Sequence, residues 1–320
     1  LKATEDIQTL QREEGEVFGT TNKKSKIIVI FKAKGIEISK PRNRNDFREE
    51  LFPKTLFNRS IGRIVGEDAG IAYLFSVIGC RPYIKPGGRF IIRLSGNKEV
   101  IKIVLSCLWC AIYLGNFGTR GRRGAGSLAV LSDESSIDEI RSHTNLDFIL
   151  NKTYPEEILH WFNKNIETAV KIVNNGKKPQ DLVTKYSNLI RSRMIISEKK
   201  FNSWKDALNE IGKIYENYRF NHRRDYLDVA VFGFPVPHKR FTVKGKLGNK
   251  PIDRRSSPLI FKVLKSGENY YWALIKLSGE FLPQGGIVTS GKQTQKPDYR
   301  VIDEFWNNVK NYGYEKILVT

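Results

Sequence analysis

Residues 114–128 read Leu-Gly-Asn-Phe-Gly-Thr-Arg-Gly-Arg-Arg-Gly-Ala-Gly-Ser-Leu. Glycines fall at every third position, Gly115, Gly118, Gly121 and Gly124, and Gly126 follows. Arg120, Arg122 and Arg123 stand between them, and no acid is present. Glycine lets a backbone take positive φ and approach a ligand closely. Successive exposed N–H groups make concave anion sites, and arginine adds a forked donor that matches phosphate. Composition and spacing therefore predict a loop that holds a phosphate chain, with Gly118, Gly121 and Gly124 shaping it. The bland alternative is a flexible linker with solvated arginines. The apolar segments on both sides argue against it.

Working outward, Val100 to Leu114 is apolar except for Lys102 and Ser106, so it reads as a buried helix. It is too short for a membrane span. Ser127 to Leu131 reads as a short strand. A dinucleotide fingerprint needs the order strand, loop, helix, and a P-loop needs Gly-Lys-Ser/Thr after its glycines. Neither fits, and a polyanion remains.

Charge agrees. The 320 residues carry 54 Lys plus Arg against 34 Asp plus Glu, a net charge of +20. Such a field favours nucleic acid, ahead of an anionic membrane surface. It is uneven: residues 237–265 hold nine basic residues and one acid, whereas 131–168 hold eight acids and three basic residues. Arg254 and Arg255 are expected to clamp phosphates from the second half. Lys239, Arg240, Lys244, Lys246 and Lys262 would widen the field. Tyr83 and Phe117 are possible base-stacking rings, though such aromatics more often pack in cores.

Three cysteines, Cys80, Cys107 and Cys110, fit a reducing cytoplasm. Cys107 and Cys110 lie inside the buried helix with no second pair at metal spacing, so packing is expected rather than zinc. No metal, cofactor or small-molecule substrate is expected. His143, His160, His222 and His238 do not adjoin the loop, and Asp225 with Asp228 reads as an ion-pair cluster beside Arg223 and Arg224. No catalytic residue is assigned.

The coarse pattern is a helix over 1–15, strands over 25–38, 73–78 and 89–94, and an irregular connection over 41–70. A mainly helical stretch over 136–225 contains a linker at 174–186. Strands follow at 228–232, 258–264 and 270–277, then a helix over 298–311 and a last strand over 313–319. This gives an α+β chain in three parts: 1–135, a largely helical 136–226, and 227–320. The start at Leu1, within a helical pattern, leads us to expect a missing N-terminal strand.

The segment Leu114-Gly115 through Gly126-Ser127-Leu128 resembles the signature loop of the CRISPR RAMP superfamily. More closely, it is similar to the tandem-RAMP subunit one of the type III-B Cmr effector complex. Phe18-Gly19, Phe232-Gly233-Phe234-Pro235 and Arg254-Arg255-Ser256-Ser257-Pro258-Leu259 match in the same order. Asn116, Gly121 and Ala125 depart from the commoner residues, and Ala125 replaces a frequent aromatic. The resemblance implies two ferredoxin-like (RRM-like) domains in tandem with helical insertions. It implies a cytoplasmic, non-catalytic subunit that binds guide RNA, helps capture target RNA in antiviral defence, and assembles with other Cmr subunits. Two alternatives stand beside it: a metal-independent RAMP endoribonuclease that processes guide RNA, and a general single-strand RNA module.

Overall fold

A computed structural model of the chain describes residues 6–75, 81–131, 134–177, 186–238 and 241–318. In chain order come α1 (Ile7–Phe18), β1 (Ile27–Lys34), β2 (Ile38–Ser39), α2 (Arg44–Leu51), β3 (Leu56–Asn58) and β4 (Arg63–Val65). Next are α3 (Ala69–Phe75), β5 (Tyr83–Ile84), β6 (Arg89–Gly96), α4 (Lys98–Tyr113), α5 (Glu134–Thr144) and α6 (Pro155–Val173). After β7 (Asn188–Ser197) and α7 (Trp204–Asn221), a 3-10 turn at Asp228–Phe232 leads into β8 (Val236–His238), β9 (Phe241–Leu247) and β10 (Lys250–Ile252). The chain ends through β11 (Leu259–Ser266), β12 (Asn269–Ser278), β13 (Gly286–Ser290), β14 (Gln293–Gln295), α8 (Arg300–Lys310) and β15 (Gly313–Ile317).

β11 reads Leu-Ile-Phe-Lys-Val-Leu-Lys-Ser, an apolar run that fits a strand covered on both faces. Gly267, with φ 56°, opens the tight turn into β12. The sheet order is β11-β12-β7-β15, every neighbour antiparallel. With α7 after β7 and α8 before β15, this unit runs β-α-β-β-α-β. Leu259, Phe261 and Val263 face a core shared with α3, α7 and α8. Ile260 and Leu264 face a second core shared with α4 and α6. The sheet is thus the middle of three layers, and each fully buried Leu, Ile or Phe adds about 1.5–3 kcal/mol.

Helix α4 is largely apolar because it packs against α6 and shares with it the second core on one face of the sheet. Its Trp109 is fully buried, with ring centroids 5.3 Å from Trp161 and 5.8 Å from Phe162. Asn97 caps α4 by accepting from the Glu99 N–H at 2.9 Å, and Ser203 caps α7 by accepting from the Asp206 N–H at 3.1 Å. Helix α3 crosses α7 at facing glycines. A Cβ on Gly212 would stand 2.4 Å from the Gly70 oxygen.

Several expectations change. The boundary at residue 227 divides the four-stranded sheet, because β7 is an inner strand and α7 covers one face. The unit therefore begins at Asn188, and the stretch 136–226 is not a separate helical part. Tyr73 to Phe75 belong to helix α3, since the Gly70–Gly212 contact holds a helix there; residues 76–78 lie outside the described residues. Asp228–Phe232 is a 3-10 turn whose Phe232 ring packs on Tyr215 at 5.6 Å. Residues 127–131 join no ladder, and 41–70 contains α2, β3 and β4. Most of the linker, 178–185, lies outside the described residues. Among those described, the N-terminal part has no four-stranded sheet: β1 pairs with β6 alone, from Ile27 opposite Gly96 to Lys34 opposite Arg89.

Candidate nucleic-acid interface

The glycine-arginine loop runs along β11, on the side of that strand away from β12. The Phe261 N–H donates to the Arg122 oxygen at 3.2 Å, and Arg123 bridges Phe261 in parallel. The Asn116 amide donates to the Phe261 oxygen at 2.7 Å, and the Val263 N–H donates to Ser127 Oγ at 3.2 Å. The loop thereby satisfies backbone groups that an edge strand would otherwise expose. Lys262, expected in the wider field, is fully buried. Its Nζ donates to the Gly115 oxygen at 2.8 Å and to Asn116 Oδ1 at 3.1 Å, under the loop rather than on its surface.

The glycines divide by role. Gly121, Arg123 and Gly124 donate their N–H groups to the oxygens of Gly118, Arg120 and Gly121 at 3.3, 2.7 and 3.3 Å. These donors are taken up inside the loop, so the expected nest does not form from them. At Gly124, with φ 93°, a Cβ would meet Leu208 of α7 at 2.5 Å. Gly118, with φ 83°, has open space where a Cβ would be.

All three loop arginines are partly buried. Arg122 Nη1 donates to the Ser257 oxygen, and Arg123 Nη2 to the Phe232 oxygen at 3.1 Å. The Arg123 guanidinium lies 4.6 Å from the Tyr215 ring centroid and 5.3 Å from that of Phe261. Its Nη1 is buried and makes no hydrogen bond. Burial, then the Arg123 charge, pulls the Arg120 guanidinium down; burial, Arg123 and Arg255 do the same to Arg122. Arg255 donates from Nη2 to the Glu280 oxygen at 3.0 Å and from Nε to the Phe281 oxygen. Two arginine sets separated by more than a hundred residues are thus close enough to repel. Arg254 is exposed.

Other expected residues fall elsewhere. Lys239 and Arg240 lie outside the described residues, as does the side chain of His238. Lys244 is exposed and pairs with Asp253 at 2.8 Å. Tyr83 packs edge-on against Phe47 at 5.6 Å, and Phe117 is exposed. His222 stacks on Tyr218 at 4.1 Å. Asp228 accepts from the Gln295 amide, and among the described residues no ion pair joins Asp225 or Asp228 to Arg223 or Arg224. Burial pushes the Cys110 thiol up to about 12, as suits a packing residue. Among the described residues no group of His, Cys, Asp or Glu is placed to hold a metal, and no helix is long and apolar enough to cross a membrane.

Sequence reasoning missed Tyr73, Tyr215 and Arg219. Tyr73 and Tyr215 meet edge-on at 5.7 Å across the α3–α7 crossing. The Arg219 guanidinium lies 5.9 Å from the Tyr215 centroid and 5.3 Å from that of Phe232, and its Nη1 donates to the Val229 oxygen at 3.2 Å. The available signal was Tyr215 and Arg219 four residues apart, on one face of a helix.

No family model matches the chain. The chain is 26% identical over 319 residues to the CRISPR system Cmr subunit Cmr1-1 of Pyrococcus furiosus, covering 97% of this chain and 80% of that protein. It is 30% identical over 140 residues to Cmr subunit Cmr1-2 of the same organism, covering 39% of this chain and 70% of that protein. The crystal structure of Cmr1 from Pyrococcus furiosus in its apo form superposes with a TM-score of 0.62 at 20% identity, covering 98% of this chain and 84% of that one. The loop of residues 114–128, seated on β11 with its arginines beside Arg255, is therefore carried by a chain that belongs to the RAMP-like Cmr1 family of CRISPR Cmr subunits.

Proposed function

We propose that the chain is a non-catalytic, cytoplasmic RNA-binding subunit of a type III-B Cmr ribonucleoprotein. It binds guide RNA and helps capture target RNA, together with other Cmr subunits. The β-α-β-β-α-β unit from Asn188 to Ile317 is one ferredoxin-like domain, and the segment containing β1, β6 and α4 contributes to a second. Arg120, Arg122, Arg123, Arg254 and Arg255 contact RNA phosphates, with Gly118 leaving room for the backbone. Lys262 supports this surface from beneath. Such contacts fix position, while guide pairing reads sequence.

One observation carries the reading: three loop arginines and Arg255 converge at the β11 edge, and burial works against the charges of Arg120 and Arg122. Such a set favours an anion. The test is binding of a labelled single-stranded RNA of about 40 nucleotides across salt, where about six neutralised phosphates give a log–log slope of roughly −4. Arg120→Gln, Arg122→Gln and Arg123→Gln together should weaken binding at least tenfold and flatten the slope, with unfolding temperature checked in parallel. Unchanged binding by the folded variant would defeat the assignment. RNA cleavage that disappears in His222→Ala would move the reading to an endoribonuclease.

A further inference from the structure

The β1–β6 ribbon sorts its side chains into an apolar face and a basic one. Directly opposite residues of an antiparallel pair share a face, and neighbours along a strand alternate. One face carries Val29, Phe31 and Ala33 opposite Leu94, Ile92 and Phe90. Leu94 packs against the second core, and a Cβ on Gly96 would stand 3.6 Å from Ile101 of α4, so this face turns toward that helix. The other face shows three successive rows: Lys34 with Arg89, Lys32 with Ile91, and Ile30 with Arg93. All six side chains are exposed, Ile30 by 43% and Ile91 by 58%, which is costly for isoleucine unless something covers it. Neither strand contains an acid. The acids that flank the ribbon in sequence are already taken: Glu16 pairs with Lys23 and Lys26, Glu37 with Lys85, and Glu99 with Lys102. Among the described residues, none of the four ribbon cations forms an ion pair. Lys34 and Arg89 stand directly opposite each other, a like-charge pair that works against the ribbon. A polyanion laid over this face would remove that repulsion.

We infer that this face of the ribbon is a second RNA surface, separate from the glycine-arginine loop. A single-stranded RNA runs along it with phosphates against Lys32, Lys34, Arg89 and Arg93 and base faces against Ile30 and Ile91. The rows repeat about every 6.8 Å along the strands, a step that an extended nucleotide chain can follow. Two of the three rows pair a cation with an isoleucine, as each nucleotide pairs a charge with an apolar base face. That pairing favours RNA over an acidic protein segment, which needs the charges but not the isoleucines between them. Contacts to phosphates and base faces carry no hydrogen-bond code, so the surface holds RNA without reading its sequence. The inference rests on the RNA reading of this chain for its ligand, and not on the loop for its site.

The experiment is binding of a labelled single-stranded RNA of about 40 nucleotides to the full chain across salt, with unfolding temperature measured in parallel. Lys32→Gln, Lys34→Gln, Arg89→Gln and Arg93→Gln together should weaken binding about tenfold and reduce the magnitude of the log–log slope by about 2.8, roughly 0.7 for each phosphate. This variant should unfold no lower than wild type, because it removes a like-charge pair. Ile30→Thr with Ile91→Thr keeps residues that favour strands, and should weaken binding about threefold at an unchanged slope. A diffuse basic field would leave that second variant at wild-type affinity. Wild-type affinity in either variant would therefore overturn the surface. The loop variant, Arg120→Gln with Arg122→Gln and Arg123→Gln, separates the two sites. Weaker binding by the ribbon variants alone keeps the ribbon and removes the loop; weaker binding by the loop variant alone does the reverse; no RNA binding by wild type removes both. Polyglutamate is the second probe. If the ribbon cations were needed for polyglutamate and not for RNA, the ligand would be an acidic protein and the RNA surface would be overturned.

Discussion

The Lys262 side chain donates to the Gly115 carbonyl at 2.8 Å, joining β11 to the chain just past the C-terminus of α4. Gly115 opens the loop that carries Arg120, Arg122 and Arg123, so this buried contact sets where that loop lies on the sheet. A cation also suits the negative end of a helix. Lys262→Met keeps the apolar packing and removes both donors. Asn116 Oδ1 still accepts from Ser127 Oγ at 2.9 Å, which leaves the Gly115 oxygen as the unpaired group. The expected loss is about 1–3 kcal/mol by chemical denaturation, with weaker RNA binding although the side chain is not on the surface. An unchanged midpoint would show that the loop is held by its other contacts.

Burial also makes Lys262 a source of pH dependence. It pulls the ammonium down to about 7 from an ordinary 10.5. Between those values the unfolded chain binds a proton that the folded chain does not, so this group makes stability rise with pH. Below about 7 both states are charged and the penalty is complete. A neutral amine still has two N–H groups for its two acceptors. The deficit of Lys262→Met against wild type should therefore be largest near pH 9 and shrink toward pH 6. Denaturation midpoints for both proteins across that range check the sign; a deficit that grows on acidification would contradict it.

The two ends of the loop should respond differently to one methyl group. At Gly126, with φ 69°, a Cβ would stand 1.8 Å from the Phe117 oxygen, so Gly126→Ala must move backbone. Gly118→Ala meets open space and carries mainly its left-handed strain, about 1–2 kcal/mol. Gly126→Ala should lower the unfolding temperature by much more. Gly118→Ala should stay folded yet bind RNA less tightly, because the methyl occupies room left for a phosphate backbone. Equal stability losses would remove this division of roles.

The structural units most legible in the sequence are those whose neighbours leave one choice. Helix α4 and strand β11 are mostly apolar because both pack into buried cores, and the sequence says so directly. Strand β7 was hidden because Arg191 and Arg193 interrupt its apolar pattern. Arg193 is held by Glu315 of β15, a pairing invisible until the sheet order is known. Tyr73-Leu-Phe reads as a strand by composition and is helical through its crossing with α7. The loop was recognised as a basic glycine loop. That Lys262 lies under it depends on the side-chain alternation of β11, which points residue 262 toward α4 and 261 toward α7. Arg219 and Tyr215 were passed over because four-residue spacing on a helix is common and means little without the loop above it.

Gly70 and Gly212 are the clearest requirement of the α3–α7 crossing. A Cβ on Gly70 would stand 2.0 Å from the Asn209 oxygen, and one on Gly212 would stand 2.4 Å from the Gly70 oxygen. Backbone cannot yield as a side-chain tip does, so either alanine forces the helices apart. Gly212→Ala should cost about 3 kcal/mol or more, at the upper end for overpacking. It should also move Tyr73 away from Tyr215, which it meets edge-on at 5.7 Å. A variant with wild-type stability would show that α3 slides freely along α7.

Arg254 and Arg255 are adjacent in sequence and placed very differently. Arg254 is exposed and makes no hydrogen bond among the described residues, whereas Arg255 is partly buried and donates to the Glu280 and Phe281 oxygens. The Arg255 backbone also exchanges hydrogen bonds with Phe234, at 3.0 and 3.1 Å, just before the Pro235 bend. Arg254→Ala should leave stability within about 0.5 kcal/mol, and reduce the magnitude of the RNA salt slope by about 0.7 if it meets one phosphate. Arg255→Ala should cost about 1–3 kcal/mol by leaving two carbonyls unpaired, and weaken RNA binding partly through Arg122, whose position it shares. Denaturation midpoints and salt-dependent binding on the two single variants separate these roles. A stability loss at Arg254 equal to that at Arg255 would mean that the exposed arginine is held by the fold and is not available to RNA.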